Sequence, residues 1–279
     1  MKRQIEVVIL SDTHLGTFGC HAKELLSYLK SIQPEILILN GDFIDIWQFS
    51  KVFFPKTHLA VIHEVMKMAL SGTKVYYITG NHDDMLRKFS DFSSGNIHLR
   101  DKLVLQMNGE KYWIFHGDVF DVSIKQIKWL ARMGANGYGL LILLNRLINQ
   151  FRKGLGLPRR SFAGKIKSSF KKAVKYVDDF ETTAIKLASE NNYDYVVCGH
   201  THTPVIRKDV QGNKTLTYMN SGDWMENLTA LEYNFKKWTL YKYDDLDYHQ
   251  INKKIRVKET KMIRTLYAKV TDFRNPQQL

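Results

Sequence analysis

Five short stretches of this 279-residue chain gather aspartate, histidine and asparagine directly behind apolar runs. Asp12 and His14 follow Ile5 to Leu10, and Gly41-Asp42 follows Ile36 to Leu39. Gly80-Asn81-His82-Asp83 follows Val75 to Ile78, His116-Gly117-Asp118 follows Tyr112 to Phe115, and Gly199-His200-Thr201-His202 follows Tyr195 to Cys198. A single Asp or His behind a strand is usually a turn residue or a helix cap. Five such stretches in series, rich in imidazole and carboxylate, suit hard-to-borderline divalent cations. Cys198 lies inside an apolar run and reads as a small core hydrophobe, not as a thiolate ligand.

The elements that must position these groups follow from periodicity. The runs at Ile5, Ile36 and Val75 are β-branched-rich strands, and His21 to Ile32 and Leu59 to Leu70 have helical spacing between them, which predicts parallel βαβ units. Short strands follow at Ile97 to Leu99, Leu103 to Gln106 and Tyr112 to Phe115, with Asn108-Gly109 marking a hairpin between the last two. From Ser123 to about Asn191 the pattern reads as several helices, broken at Gly154-Leu155-Gly156-Leu157-Pro158. Strands resume at Tyr195 to Cys198, Val205 to Arg207, Thr215 to Met219, Thr229 to Tyr233 and Trp238 to Tyr243. Every candidate ligand thus follows the end of a strand, where loops leaving a rigid sheet at one edge share one crevice.

Bulk composition bounds the partners. Only Cys20 and Cys198 are present, too few for a disulfide framework and consistent with a reducing compartment. The basic start runs into a first strand without a cleavage site, and no stretch approaches the roughly 20 apolar residues of a membrane span, so a cytoplasmic protein is expected. The formal charge of +13 points to an anionic partner. It is local: between Ser123 and Lys175 there are 13 Lys and Arg and no acidic residue. The run Gly139 to Ile148 inside that segment is too apolar for a solvated helix and too short to span, which suits an interfacial helix or an acyl-chain pocket. Its apolar core argues against a nucleic-acid groove, which interleaves basic and aromatic residues.

Taken together, Asp12-x-His14, Gly41-Asp42, Gly80-Asn81-His82-Asp83, His116 and Gly199-His200-x-His202 resemble the five-block signature of the calcineurin-like metallophosphoesterases. The resemblance implies an α/β fold, a four-layer α/β/β/α sandwich of two mixed sheets, and two metals bridged by Asp42. It further implies that Asp12, His14 and His202 complete the first site, that Asn81, His116 and His200 complete the second, and that catalytic His82 faces the phosphoryl group. Two such cations about 3.5–4 Å apart polarise phosphoryl oxygens and acidify water. Asp83 and Asp118 are expected to fix loops.

Finer features narrow the branch. Gly41-Asp42-Phe43-Ile44-Asp45-Ile46-Trp47, His116-Gly117-Asp118 with Asp121, Gly199-His200-Thr201-His202-Thr203-Pro204 and Asn220-Ser221-Gly222-Asp223-Trp224 are similar to the UDP-2,3-diacylglucosamine pyrophosphatases of lipid A synthesis. That likeness implies hydrolysis of the lipid-linked nucleotide sugar to UMP and 2,3-diacylglucosamine 1-phosphate, Mn2+ as the usual metal with Zn2+ or Fe as alternatives, and a peripheral place on the inner face of the inner membrane. Members of that group carry Arg where this chain has His82. Residues 1–122 and 176–250 are then the metallophosphoesterase domain, 123–175 an inserted helical lid, and 251–279 a tail to which the sequence gives no role. Asn81, His82, Arg159, Arg160, Lys171, Lys172, Leu141 and Leu144 are the expected substrate contacts. The competing readings are a phosphodiesterase or phosphatase of soluble nucleotides or nucleic acid, and a non-catalytic scaffold; the intact ligand set speaks against the scaffold.

Overall fold

The computed structural model of the chain describes residues 2–47, 54–120, 149–150, 152, 154, 171–212 and 214–246, with the backbone alone for 171–179. The chain divides into two units, Met1–Lys242 and Tyr243–Leu279, and every element below belongs to the first.

Strand β1 (Arg3–Leu10) loses its solvent-facing positions after Glu6 and runs as four buried residues to Leu10, the pattern of a central strand covered on both faces. It pairs in parallel with β2 (Ile32–Asn40), which pairs in parallel with β3 (Lys74–Ile78). Helix α1 (Ala22–Ser31) and helix α2 (Lys56–Leu70) make the two crossovers, as the alternation of patterns predicts. β2 starts four residues earlier than the apolar run suggests. Pro34 masks the strand signal there, but Arg3 to Ile5 supply a partner for Ile32 to Pro34. The seven-stranded sheet is completed by β4 (Ser93–Ser94), β5 (Ile97–Arg100), β11 (Thr229–Asn234) and β12 (Lys237–Lys242), in the order β12-β11-β1-β2-β3-β5-β4.

The second sheet has the order β6-β7-β8-β10-β9, from β6 (Lys102–Met107), β7 (Glu110–Phe115), β8 (Tyr195–Cys198), β9 (Val205–Gln211) and β10 (Lys214–Asn220). Its β6–β7 hairpin turns at Asn108-Gly109, both with positive φ, as that dipeptide predicts. The β11–β12 hairpin makes the same kind of turn with Phe235 and Lys236 at φ 50° and 61°, a geometry that neither residue announces in sequence.

Val7, Ile9, Ile38, Ile78 and Leu231 of the first sheet and Leu103, Ile114, Val197 and Met219 of the second form one buried cluster, so the sheets pack face to face. Alternation turns Val8, Leu10, Leu37 and Leu39 to the other face of the first sheet, all at most 2 % exposed. On the far side of the second sheet, Phe180, Ala184, Ile185 and Ala188 of helix α3 (Lys171–Glu190) pack on Val196, Cys198, Leu216 and Tyr218. Two mixed sheets with helices outside make the four-layer α/β/β/α sandwich. Of the predicted helical stretch from Ser123 to Asn191, α3 is described; Leu141, Leu144, Arg159, Arg160 and the tail 251–279 lie outside the described residues, as do the side chains of Lys171 and Lys172. Among the described residues, no helix is long and apolar enough to cross a membrane.

Candidate metal centre

The loops behind β1, β2, β3, β7 and β8 bring Asp12, His14, Asp42, Asn81, His116, His200 and His202 to one edge of the sandwich. The β1 and β2 loops continue to pair past the sheet: the amides of Asp12, His14 and Leu15 donate to the carbonyls of Gly41 (3.1 Å), Asp42 (2.9 Å) and Phe43 (2.9 Å). Asp12, His14, Asp42, His200 and His202 all have φ between 47° and 63°. This left-handed region costs a non-glycine residue about 1–2 kcal/mol, and five such residues converging on one spot mark a site whose geometry is held by its surroundings. Glycines make the room. A Cβ on Gly41 would overlap the His116 ring, and one on Gly80 would overlap the Asp42 carboxylate.

Both central carboxylates divide their labour. Asp12 Oδ2 accepts the His200 amide at 3.0 Å and Asp42 Oδ1 accepts the His82 amide at 2.8 Å, which leaves Asp12 Oδ1 and Asp42 Oδ2 facing inward. Asp12 Oδ1 lies 3.2 Å from His202 Nε2 and 3.9 Å from the Nε2 atoms of His14 and His116. Asp42 Oδ2 lies 3.3 Å from His116 Nε2 and 3.8 Å from His14 Nε2. Among the described residues three sets have one donor atom per residue within 4.8 Å of one another: Asp12 with His14 and His202, Asp42 with His116 and His200, and His14 with Asp45 and His82; the first two match the ligand sets expected from the sequence. Asn81 Oδ1, in the loop behind β3 next to His82, is buried without a hydrogen-bond partner.

Electrostatics bind the cluster together. Burial alone pushes the Asp12 carboxyl upward, but the His202 and His116 rings outweigh it and hold the group well below the usual carboxylate range. Burial likewise opposes ionisation of Asp42, and His116, His14 and His82 reverse it. For His116 the burial penalty is overcome by Asp42 and Asp12, which push the imidazole well above its ordinary value. In the cation-free cluster the carboxylates are therefore ionised and the facing His116 is driven toward its protonated form; a bound cation would take the place of that proton as their counter-charge.

The rings are fixed from behind. His116 Nδ1 sits 2.9 Å from the Asn40 carbonyl, which directs Nε2 toward Asp42. Asp45, 1 % exposed, places its Oδ2 2.9 Å from His82 Nδ1 and 3.5 Å from His14 Nδ1. Sequence reasoning assigned Asp45 no role; the signal available was a carboxylate set within the apolar Phe43-Ile44 and Ile46-Trp47. His82 is 30 % exposed in its side chain, with Nδ1 turned inward, so its other ring edge faces the crevice. Burial lowers its pKa, but Asp45 and Asp42 raise it further. Trp47 stands at the rim, 66 % exposed and 6.2 Å from the His82 ring.

Asp83, fully buried, accepts the amides of Phe43 (3.0 Å) and Gly80 (2.6 Å) and the Tyr77 hydroxyl (2.6 Å), locking the β2 and β3 loops together. Asp118 pairs with Arg87 at 2.8 Å, outside the cluster. His58 is a core residue whose Nδ1 accepts the Gly16 amide, His98 bonds Ser93, and His21 faces Glu24.

A sandwich with inward-facing carboxylates and imidazoles at its strand ends defines a metal-dependent hydrolase of phosphoesters or phosphoric anhydrides, and the chain belongs to the calcineurin-like phosphoesterase family, whose model matches residues 5–204. At finer grain it is similar to proteins named UDP-2,3-diacylglucosamine hydrolase. The one from Aliivibrio fischeri is 26 % identical over 241 residues, covering 85 % of this chain and 98 % of the relative. That from a Pseudomonas fluorescens strain is 27 % identical over 246 residues, 85 % and 96 % of the two chains. Among solved structures, an archaeal phosphodiesterase matches at 14 % identity and a TM-score of 0.41, covering 85 % of this chain and 98 % of its own.

Proposed function

We propose that this chain hydrolyses the pyrophosphate of UDP-2,3-diacylglucosamine, releasing UMP and 2,3-diacylglucosamine 1-phosphate. The observation that carries the reading is the extent of the likeness: the match runs through 98 % of the length of the Aliivibrio fischeri relative, not through the metal-site stretches alone. The substrate's apolar chains match the second feature, the acid-free Ser123 to Lys175 segment with Leu141 and Leu144 in its apolar run.

The metal reading rests on donor chemistry. Asp12 Oδ1, His14 Nε2, Asn81 Oδ1 and His116 Nε2 are buried atoms with no hydrogen-bond partner. Such atoms are costly unless something cationic takes their lone pairs. The shortest spacings that the inward carboxylate oxygens make to the ring nitrogens are Asp12 Oδ1 to His202 Nε2 at 3.2 Å and Asp42 Oδ2 to His116 Nε2 at 3.3 Å. They are near the spacing of about 3.0–3.4 Å that two ligands assume around one ion at bond lengths of about 2.1 Å. In this reading Asp12, His14, His202 and Asp42 hold one cation, and Asp42, Asn81, His116 and His200 the other, Mn2+ being the proposed metal. Two bound cations supply the positive charge that polarises a phosphoryl oxygen and acidifies water for in-line attack.

The chain's own groups do the positioning. The Asn81-His82 segment offers a neutral ligand oxygen, anchors Asp42 through the His82 amide, and turns the His82 ring edge toward the crevice. Asp45 holds that ring, so His82 is placed to meet charge developing on the phosphoryl or leaving oxygen, a role worth about one to three orders of magnitude in rate. Residues 123–175 would act as a lid on the domain formed by 1–122 and 176–250. The charges of Arg159, Arg160, Lys171 and Lys172 would favour attachment to an anionic inner leaflet, with the protein peripheral on the cytoplasmic side.

The test is a comparison of turnover by the Mn2+-loaded protein on UDP-2,3-diacylglucosamine, a soluble nucleotide diester and a simple monoester. The acylated pyrophosphate should be preferred by at least two orders of magnitude in kcat/KM, about the value of a few buried methylenes. Equal or better turnover of the soluble diester would replace this substrate with a soluble one.

A further inference from the structure

Asp223 lies in the loop between β10 and β11, outside the five stretches that carry the ligands, and is fully buried. Its two oxygens serve different ends. Oδ1 accepts the amides of Met225 (2.8 Å), Glu226 (2.5 Å) and Asn227 (3.2 Å), which closes a tight turn. Oδ2 accepts the side-chain amide of Asn227 at 2.6 Å and stands 3.7 Å from His202 Nδ1. The Asn227 side-chain nitrogen also donates to the His202 carbonyl at 2.9 Å. His202 has φ 55°, so its backbone is held where a histidine does not settle unaided. On the opposite edge of the same ring, Nε2 is 3.2 Å from Asp12 Oδ1.

We infer that Asp223 and Asn227 form the positioning device of His202. Asn227 holds the His202 carbonyl and with it the left-handed backbone that swings the ring inward. Asp223 puts a buried negative charge behind the ring, which favours the tautomer with hydrogen on Nδ1 and leaves the Nε2 lone pair aimed at the Asp12 side. At 3.7 Å the carboxylate is too far for a hydrogen bond and acts as a charge on a dipole. The arrangement parallels the Asn40 carbonyl behind His116 and Asp45 behind His14. Outer groups of this kind are worth about 10–100-fold in metal affinity. The inference rests on the reading of His202 as a metal ligand.

The discriminating variant is Asp223→Asn. Asparagine keeps an oxygen for the three turn amides and exchanges the charged oxygen behind His202 for a group that cannot accept. Titration of chelator-treated protein with Mn2+ by calorimetry should show one of two equivalents weakened about 10–100-fold. The metal-free Tm should fall, because the Asn227 side-chain amide loses its Oδ2 acceptor, and saturating Mn2+ should restore both equivalents. Two equivalents at wild-type affinity would overturn the inference. Against that fall in Tm, Asn227→Ala decides, because it leaves the carboxylate and its turn in place: weakening of one equivalent supports the device, and wild-type affinity overturns it. His202→Ala separates this failure from failure of the ligand reading. Loss of one equivalent in His202→Ala with none in Asp223→Asn removes only the positioning role. Two full equivalents in His202→Ala would remove the ligand reading and the inference with it.

Discussion

Asp42 has one oxygen tied to the His82 amide, so the other, Oδ2, must serve donors of both ligand sets, 3.3 Å from His116 and 3.8 Å from His14. Asp42→Ala removes one of the two inward oxygens that stand between the sets, Asp12 Oδ1 being the other at 3.9 Å from His116. Asp42→Ala is expected to hold fewer than two metals per chain and to lose roughly three or more orders of magnitude in turnover, since charge on the phosphoryl group and the attacking water both depend on the pair. Metal analysis beside kinetics checks it; full activity with two bound metals would remove Asp42 from the bridging position. His82 invites a different comparison. A phosphomonoester leaving group has a second pKa of about 6 and departs at pH 7 without needing a proton, so the side chain serves mainly as a positive or hydrogen-bonding contact. His82→Arg should therefore keep substantial pyrophosphatase activity, whereas His82→Ala should lose about one to three orders of magnitude. Arg as damaging as Ala would sink the charge-contact account. At this scale the sequence displayed the seven clustered residues through their repetition behind strands. Asp45 and Asp223 stand in stretches that carry the family resemblance, but their roles were not legible, because those depend on what their carboxylates touch, and His82 and His202 lie elsewhere in the chain.

Loops that leave strand ends can carry a site only if they approach one another closely, and the glycines set that limit. Gly80 stands where a methyl group would meet the Asp42 carboxylate, its backbone amide and the His116 ring at once. Gly80→Ala should cost about 1–3 kcal/mol of stability, the range for overpacking a closed site, and should weaken Mn2+ binding as the carboxylate is displaced. Gly95→Ala is the contrast: nothing lies within 4 Å, so only its φ of +56° opposes the change. A loss of about 1 kcal/mol with unaltered metal affinity is expected there. Thermal unfolding with and without metal measures both, and identical metal affinities in the two variants would refute the steric argument. Local signals served the elements well wherever local chemistry decides them. Asn108-Gly109 announces its hairpin, and the alternating apolar runs announce β1, β2 and β3. They missed the early start of β2 and the Phe235-Lys236 turn, where pairing with β1 and with β12 overrides what those residues prefer alone.

For the whole molecule, the net charge of +13 and its confinement to the stretch Ser123 to Lys175 ask what that stretch meets. The sandwich carries the proposed metal centre, and metal bound to the folded state alone should raise Tm as its concentration rises. Chelation should lower Tm and Mn2+ restore it; a Tm indifferent to both would mean that the cluster holds no metal. The lid segment should behave otherwise, acting on substrate choice and not on the metals. Each buried CH₂ of an acyl chain is worth about 0.8 kcal/mol, so even a partly buried chain supplies several kcal/mol that a soluble nucleotide lacks. Leu141→Asp with Leu144→Asp should sharply reduce turnover of the acylated substrate and leave a small phosphodiester near wild type. Neutralising Arg159, Arg160, Lys171 and Lys172 should weaken binding to anionic vesicles by up to about 1 kcal/mol per charge, measurable by co-sedimentation at two salt concentrations. A soluble-nucleotide enzyme would show no selective loss for the acylated substrate when the leucines are changed. Equal losses on both substrates, in a folded and metal-loaded variant, would make the segment part of the protein's own core and leave the lipid reading resting on its relatives alone.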